Sequence, residues 1–250
     1  MEAYQYPHYY EIALSPDNVG RELDFFEAAI DKFSRAKVKC VFELGAGTAP
    51  YMEEWHKRGY AYCGLDLSSA MIGFARAKAE HAGLNASFIQ GDMRELDRGL
   101  GPFDLAYVLL GSLYVRSNRE FLDHLDRIAD LLVAGGLYLL DSFVWFRIFH
   151  DYKLSWTMRR GGVTVHTRYR AEVTDPVAQT YDECLTLTVR DHGQHKVITG
   201  RVPAKVFFPQ EFLCLVELNK RFEFIGWYND FSFTADIKPE GRHLVILRKR

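Results

Sequence analysis

Apolar and polar positions along the first part of the chain predict strands and helices in regular alternation. Short apolar runs end at turn residues, and longer segments with apolar residues every three or four positions follow most of them. The predicted strands are 38–44, 61–65, 86–90, 103–109 and 137–140, and the predicted helices are about 17–34, one after Pro50, 68–83 and 119–133. We expect Gly135-Gly136 to end the last of these helices. This order is typical of a parallel sheet covered by helices.

The pattern changes after about residue 146. Within residues 152–208 apolar and polar positions alternate in steps of two, as at Val163, Val165 and Thr167. Turn residues such as Gly161-Gly162 divide this segment, and the spacing leaves no room for crossover helices. We therefore predict an antiparallel meander. A helix at about 209–220 and strands at 222–228 and 243–248 follow, and the two strands predict an antiparallel hairpin on the edge of the main sheet.

Composition narrows the class of protein. The chain has 250 residues and a formal net charge of -2, so no global field would attract nucleic acid or an acidic membrane surface. Its four cysteines are far apart and form no C-x-x-C pair, which favours free thiols in a reducing compartment. The N-terminus lacks the basic start and apolar core of a signal peptide, and no apolar run has membrane-spanning length. We expect a cytoplasmic protein without a membrane partner.

The most informative motif follows the first predicted strand. Glu43-Leu44 leads into Gly45-Ala46-Gly47, and a helix begins after Pro50. Such a turn brings bare backbone close to a ligand at the carboxyl edge of a parallel sheet. A phosphate-binding loop of the type G-x-x-x-x-G-K-[ST] is absent, and Pro50 stands where a dinucleotide fingerprint has its third glycine. Asp66, about 20 residues further on, fits the ribose of either a nicotinamide cofactor or S-adenosylmethionine.

The residues at the ends of the later strands favour S-adenosylmethionine over a nicotinamide cofactor. Asp92 and Met93 follow the third strand, where the carboxylate can accept from the exocyclic amine of an adenine and the Met93 backbone can address a ring nitrogen. Five ordered motifs resemble those of the class I S-adenosylmethionine-dependent methyltransferases: 43–47, Asp66, 92–93, 103–106 and 135–137. The resemblance covers about residues 38–145 and the terminal strand pair.

The resemblance implies a fold and a division of the chain. The fold class would be α/β, with a Rossmann-like, mostly parallel sheet that has an antiparallel edge hairpin and an inserted antiparallel β meander. The implied divisions are an N-terminal cap segment and helix (1–36), an S-adenosylmethionine-binding core (37–150), the β insertion as a substrate lid or platform (151–208), and a final helix and strand pair that completes the core (209–250).

The resemblance also implies cofactor-binding roles. The glycine turn would wrap the methionine part and the ribose, Glu43 would fix the loop, and Asp66 would bind the ribose hydroxyls. The remaining residues would contact the adenine or flank the sulfonium. The complete implied set is Glu43, Gly45, Ala46, Gly47, Asp66, Leu67, Asp92, Met93, Leu110 and Gly111.

Missing motifs bear on the methyl acceptor. The segment after the fourth strand reads Leu110-Gly111-Ser112-Leu113-Tyr114 and not Asp/Asn-Pro-Pro-Tyr, which argues against methylation of base amines. No basic cluster marks a nucleic-acid face. We therefore expect N- or O-methylation of a small molecule, with His150 and Tyr114 as candidate catalytic residues. The candidate substrate residues are Tyr9 and Tyr10 in the tyrosine-rich N-terminus, Arg147, and His166, which is also a candidate base.

Other functions remain open from the sequence. The chain could be a methyltransferase acting on RNA or protein, with the meander as a docking surface, or a regulator that binds the cofactor without turnover. A nicotinamide oxidoreductase is disfavoured by Pro50 and by the edge hairpin. We expect no metal site and no nucleic-acid partner, and a monomer or a homodimer.

Overall fold

The computed structural model describes residues 1–16, 18–147 and 151–250. Its helices are a short 3-10 helix (Glu2–Gln5), α1 (Pro7–Leu14), α2 (Val19–Phe33), α3 (Met52–Lys57), α4 (Ser69–His81), α5 (Asn118–Leu131) and α6 (Pro209–Asn219). Its strands are β1 (Cys40–Leu44), β2 (Ala61–Asp66), β3 (Ala86–Gln90), β4 (Phe103–Val108), β5 (Leu132–Asp141), β6 (Tyr152–Arg160), β7 (Val163–Asp175), β8 (Thr180–Asp191), β9 (Gln194–Lys205), β10 (Phe222–Asn229) and β11 (His243–Lys249). Within these ranges, no helix combines the length and apolar character needed to cross a membrane.

Seven strands form the main sheet in the order β10-β11-β5-β4-β1-β2-β3. The pairs from β3 to β5 are parallel, whereas β11 pairs antiparallel with both β5 and β10. The predicted α/β sheet with an antiparallel edge is therefore confirmed. The strand order reverses beside β1, which has β2 on one side and β4 on the other. A reversal of this kind opens a crevice at the carboxyl ends of the two strands, where ligands bind in α/β sheets.

Polar side chains mark the starts of the helices on both faces of this sheet. The Asn18 side chain accepts from the backbone N–H of Arg21 at the start of α2. Ser68 caps α4 and Ser117 caps α5 in the same way. Helices α2, α3 and α4 share one apolar cluster with the sheet, and α5 and α6 share another on the opposite face. The sheet is thus covered on both sides, as parallel sheets require.

The expectation that Gly135-Gly136 ends a helix is wrong. Both glycines lie inside β5, because α5 ends earlier and the strand starts at Leu132. A Cβ atom on Gly135 would lie 2.6 Å from the Cβ of Arg35, and one on Gly136 would lie 2.7 Å from the carbonyl oxygen of Asp104. The glycine pair therefore lets the start of β5 pass close to two neighbouring segments.

The predicted meander forms a second sheet with the strand order β6-β7-β8-β9, and all its pairs are antiparallel. Its apolar face packs against the N-terminus, where the 3-10 helix and α1 place Ala3, Ile12 and Ala13 in one cluster with the sheet. The sequence pattern did not predict these two N-terminal helices. They contact the meander on one side and α4 on the other.

Candidate active site

The glycine turn after β1 adopts backbone conformations that suit glycine. Gly45 has φ +71° and Gly47 has φ +54°. A Cβ atom on Gly45 would lie 3.0 Å from the Met93 Cε and 3.3 Å from the Ser112 Cβ. The turn therefore meets the segments that follow β3 and β4, and it can hold a ligand against bare backbone.

Asp66, at the end of β2, links this turn to the start of α4. Its Oδ2 accepts from the Gly47 N–H at 2.8 Å, and its Oδ1 accepts from the Ser68 N–H at 2.8 Å. Burial raises the pKa of Asp66, and the two backbone N–H groups oppose that rise. Each oxygen keeps a further lone pair for a hydroxyl donor, so the arrangement fits a ribose as well as the local turn.

Glu43 is a buried carboxyl group beneath the turn. Its Oε2 accepts from the Tyr62 hydroxyl at 2.5 Å and from the Tyr107 hydroxyl at 3.0 Å. The Tyr107 oxygen in turn accepts from the Trp55 indole at 2.9 Å. Burial raises the pKa of Glu43 to about 8, although the two hydroxyls act in the opposite direction. Glu43 therefore joins β1 to β2 and β4 beneath the turn, and it does so as a neutral group over much of the physiological pH range.

The segment after β3 is held from two sides. Asp92 binds the Arg94 guanidinium, with 2.6 Å between its Oδ2 and the arginine Nη2, and this contact lowers the pKa of Asp92. The Met93 carbonyl accepts from His124 Nδ1 at 2.9 Å, and His124 Nε2 accepts from the Tyr138 hydroxyl at 2.7 Å. Burial lowers the pKa of His124 to about 4, so the neutral ring holds Met93 in place.

The turn after β4 depends on a buried ion pair. Leu110 has φ +56°, and its N–H donates to Asp141 Oδ2 at 2.7 Å. The same oxygen accepts from Arg242 Nε at 2.8 Å, and Arg242 Nη1 donates to Glu22 Oε1 at 3.1 Å. A charged network between β5, the segment before β11 and α2 therefore sets the position of Leu110.

These segments surround a cavity of about 460 Å³, a size common for small-molecule sites. The N-terminus covers one side and Val202 and Pro203 of β9 contribute to another. The lining includes Tyr4, Tyr10, Glu43, Gly45, Ala46, Gly47, Asp66, Leu67, Asp92, Met93, Leu110, Ser112 and Tyr114. The described residues contain no group of three His, Cys, Asp or Glu side chains that could hold a metal ion.

The N-terminal helices are tied to α4 and to the meander. The Ser68 hydroxyl donates to the Tyr4 carbonyl at 3.0 Å, which links the 3-10 helix to the start of α4. The Trp156 indole donates to the Ala13 carbonyl at 2.6 Å, which links α1 to the meander. Residues 2–14 therefore form an N-terminal cover, which is bonded to the start of α4 and to the second sheet.

A cluster of tyrosines around Glu183 occupies the meander side of the cavity. Glu183 is 7% exposed, and it accepts from the Tyr114 hydroxyl at 2.6 Å and from the Tyr169 hydroxyl at 3.1 Å. The sequence pattern did not predict this carboxylate as part of the site. Its signal was present, because Glu183 shares the inward face of β8 with buried Leu185 and Leu187.

Most predicted site residues lie together. Of the predicted cofactor residues, all except Gly111 line the cavity, and Gly111 lies in the same turn, donating its N–H to the Asp141 carbonyl at 2.9 Å. The candidate residues Tyr10 and Tyr114 line it too.

Three candidate substrate residues do not line the cavity. The Tyr9 hydroxyl instead donates to Asp191 Oδ2 at 2.8 Å, because α1 turns that side chain toward the end of the meander. His166 lies on the outward face of β7, where its Nδ1 is 2.9 Å from the Thr157 hydroxyl. Arg147 is partly buried and does not line the cavity. The catalytic candidate His150 lies outside the described residues.

Comparisons with known proteins agree with this arrangement. Residues 41–136 match the family model of a methyltransferase domain. A protein of Geobacillus sp. (strain WCH70) that carries the name "Putative methyltransferase" is 30% identical over 130 residues, which are 52% of each chain. The match thus spans about half the length of this curated relative.

Solved structures share the fold over nearly the whole chain. An S-adenosylmethionine-dependent methyltransferase from Clostridium acetobutylicum ATCC 824 has a TM-score of 0.79 at 15% identity, with 98% of each chain covered. An S-adenosylmethionine-bound amino pentose methyltransferase from Micromonospora echinaspora has a TM-score of 0.69 at 20% identity, with 92% of each chain covered. Residues 41–136 thus match a methyltransferase domain, and the chain has the fold of the class I S-adenosylmethionine-dependent methyltransferases.

Proposed function

We propose that this protein is an enzyme that transfers a methyl group from S-adenosylmethionine to a nitrogen or oxygen atom of a small molecule by in-line displacement. The observation that carries the proposal is the joint position of the glycine turn and Asp66 on one cavity at the strand-order reversal. A backbone turn with no side chain at Gly45 and a carboxylate with free lone pairs suit a nucleoside of this kind.

Named residues would hold the cofactor. Asp66 would accept from the ribose hydroxyls, Leu67 and Met93 would pack on the adenine, and Gly45–Gly47 would contact the methionine part. Asp92 already accepts from Arg94, so its contact with an adenine amine would use a remaining lone pair. Leu110 and Ser112 would border the reacting end of the cavity.

S-adenosylmethionine supplies, when bound, a methyl group that is already activated on a sulfonium. The protein therefore has mainly to align the acceptor with that methyl group and to exclude water. The N-terminal cover and the meander suit this task, because both contribute walls of the cavity. Tyr114 also lines the cavity, on the side of the meander, and it is the candidate catalytic residue within the described part of the chain.

The enclosed shape favours a small acceptor over a macromolecule. A cavity of about 460 Å³ with walls from three parts of the chain has room for a cofactor and a modest acceptor group. The structural neighbour that acts on an amino pentose is compatible with this size class. A sugar or another small metabolite with an amine or hydroxyl group is therefore the proposed substrate class.

Isothermal titration calorimetry tests the cofactor assignment. We expect S-adenosylmethionine and S-adenosylhomocysteine to bind with one-to-one stoichiometry and NAD to bind more weakly than either. Preferential binding of NAD, or failure of both sulfur compounds to bind, would overturn the proposal. A turnover assay over amines, phenols and acids then separates an enzyme from a non-catalytic regulator, because only an enzyme releases S-adenosylhomocysteine.

A further inference from the structure

Glu183 is a buried carboxylate without a cationic partner. Its two oxygens accept from the hydroxyls of Tyr114 and Tyr169, and across residues 1–16, 18–147 and 151–250 no Lys, Arg or His side chain pairs with it. Buried charges in proteins are normally paired, because desolvation disfavours an isolated ion. Burial accordingly raises the pKa of Glu183, and the two hydroxyls only oppose that rise. A cation supplied by a ligand would complete this site.

The surroundings of Glu183 suit a cation. Tyr4, Tyr10 and Tyr114 all line the cavity, and the Tyr4 and Tyr10 rings meet edge to face with centroids 5.6 Å apart. Burial together with the neighbouring Glu183 carboxylate raises the pKa of each of these three hydroxyls, so the tyrosines stay neutral. Neutral aromatic rings beside a carboxylate attract ammonium groups. The titratable groups facing this region are Tyr4, Tyr10, Asp66, Tyr114, Tyr169, Tyr181 and Glu183.

We propose that the methyl acceptor is a basic amine, bound as an ammonium ion against the tyrosines, and that Glu183 accepts its proton through the Tyr114 hydroxyl. This inference rests on the proposed function and names its substrate class. Tyr114 is the catalytic residue that touches the acceptor. Glu183 acts through Tyr114 and is a positioning residue, because it does not itself line the cavity.

The proton and electron pairs balance. The ammonium N–H passes its proton to the Tyr114 oxygen while the Tyr114 proton moves to Glu183 Oε1, 2.6 Å away, so the amine and the carboxyl group both become neutral. The freed nitrogen lone pair then forms the N–C bond as the C–S bond of the donor breaks, and its electron pair stays on sulfur. The product is an N-methylammonium ion, and Glu183 later returns its proton to solvent.

A binding experiment tests the cation site without turnover. Protein labelled at glutamate carboxyl carbons and saturated with S-adenosylhomocysteine is titrated with ammonium, methylammonium and benzylammonium chlorides, and with methanol and benzyl alcohol as neutral controls. We expect the ammonium ions, but not the alcohols, to shift the ¹³C resonance that Glu183→Gln removes. Equal responses to both series, or no shift of that resonance with any ammonium ion, would overturn the proposal.

Two variants separate the site from general effects on folding. We expect Glu183→Gln and Tyr114→Phe each to lower the affinity for ammonium ions about tenfold or more, a typical loss for a charge-assisted contact. In both variants the ¹³C shifts of labelled tyrosine rings measure this affinity. Glu172→Gln removes an equivalent carboxylate from β7, where it pairs with Arg170 on the exposed face at 3.2 Å, and should leave the affinity unchanged. Affinity losses as large in Glu172→Gln as in Glu183→Gln would contradict the assignment.

The pH dependence of turnover gives a readout that a merely structural role would not move. For an amine substrate we expect Glu183→Gln to lower kcat/KM about 100-fold at neutral pH, within the usual range for a proton acceptor. In the plot of kcat/KM against pH, the rising limb of the variant should move toward the pKa of the amine itself. The affinity of the variant for S-adenosylhomocysteine should be retained. An unchanged profile, or turnover confined to phenols and acids, would overturn the inference.

The two proposals can fail separately. If S-adenosylhomocysteine does not bind the wild-type protein, the proposed function fails and this inference fails with it. If S-adenosylhomocysteine binds but the Glu183 resonance ignores ammonium ions, only the inference about the acceptor fails.

Discussion

At the scale of single residues, the cavity is built from carboxyl groups in three different states. Asp66 is engaged by backbone N–H groups, Asp92 is paired with Arg94, and Glu43 is buried among hydroxyls. The pKa of Asp92 is lowered by its partner, whereas that of Glu43 is raised to about 8 by burial. Three acidic side chains around one cavity thus have separate tasks because their surroundings differ.

Replacement of Asp66 tests its proposed contact with the ribose. We expect Asp66→Ala to weaken S-adenosylhomocysteine binding by ~1–3 kcal/mol, since charge-assisted hydrogen bonds are lost, which is roughly 5- to 150-fold. Calorimetry measures the change. Asp97→Ala is the matched control, because Asp97 also accepts from a backbone N–H but lies in an exposed turn. Equal affinities for Asp66→Ala and the wild type would remove Asp66 from the site.

Glu43 makes the free energy of unfolding depend on pH. Its pKa is about 8 in the folded protein against an ordinary value of 4.5, so the folded state holds the proton more tightly. The stabilising contribution is complete below about pH 4.5 and declines as the pH rises to about 8.

The variant Glu43→Gln cannot ionise, and we expect it to lack this decline. Urea unfolding at several pH values should show the wild type losing a few kcal/mol relative to the variant between about pH 5 and pH 8. Glu53→Gln, at an exposed position of α3, serves as the control. Parallel pH curves for the wild type and Glu43→Gln would contradict the raised pKa.

The residue scale also shows where sequence reasoning succeeds. Gly45, Gly47 and Asp66 could be predicted, because each follows a strand whose end is visible in the sequence and parallel strands bring those ends to one edge. Glu183 was missed because its role depends on how the meander folds back over Tyr114, which is far away in the chain. The sequence signal for Glu183 was an acidic residue on the otherwise apolar face of β8, a pattern that indicates a buried carboxylate.

At the scale of elements, the turn after β4 owes its shape to elements that are distant in sequence. Leu110 is held by Asp141 at the end of β5, and Asp141 is paired with Arg242 just before β11. Neither partner was predicted, because an isolated charged residue in sequence carries no sign of burial. The misplaced end of α5 has a similar cause: the glycine pair that suggested a helix end serves close packing inside β5.

Loss of Arg242 should cost much more stability than loss of a surface arginine. Arg242→Met leaves Asp141, which is fully buried, without its cation, and we expect a cost of about 3–5 kcal/mol in urea unfolding. Addition of Asp141→Asn to the variant should recover part of this cost. Arg119→Met breaks an exposed pair with Asp123 on α5 and should cost less than about 1 kcal/mol. Equal costs for Arg242→Met and Arg119→Met would contradict the structural role.

At the scale of the whole molecule, the N-terminal cover joins the two sheets. It contributes Tyr4 and Tyr10 to the cavity and is fastened to α4 by Ser68 and to the meander by Trp156. The two-sheet architecture could be predicted from the change of hydrophobic period. The fold of the cover could not, because its short helices obtain their stability from packing between the sheets.

Occupation of the cavity should therefore stabilise the cover. We expect S-adenosylhomocysteine to slow amide hydrogen exchange in residues 2–14, because a ligand that contacts this segment stabilises its packed conformation. Mass spectrometry of peptides from this segment measures the effect. Peptides from the β7–β8 turn around Val177, which is exposed and does not line the cavity, provide the internal control. Equal protection of both regions, or none in residues 2–14, would argue against the cover as a wall of the ligand site.

The position of β11 has a consequence for the order in which the chain can fold during synthesis. This strand lies in the interior of the main sheet, between β5 and β10, although it is made after both. Until residues 243–249 leave the ribosome, β5 and β10 each present an unpaired edge, and open edges of this kind promote association with other chains. Chains terminated before β11 should accordingly accumulate in the insoluble fraction.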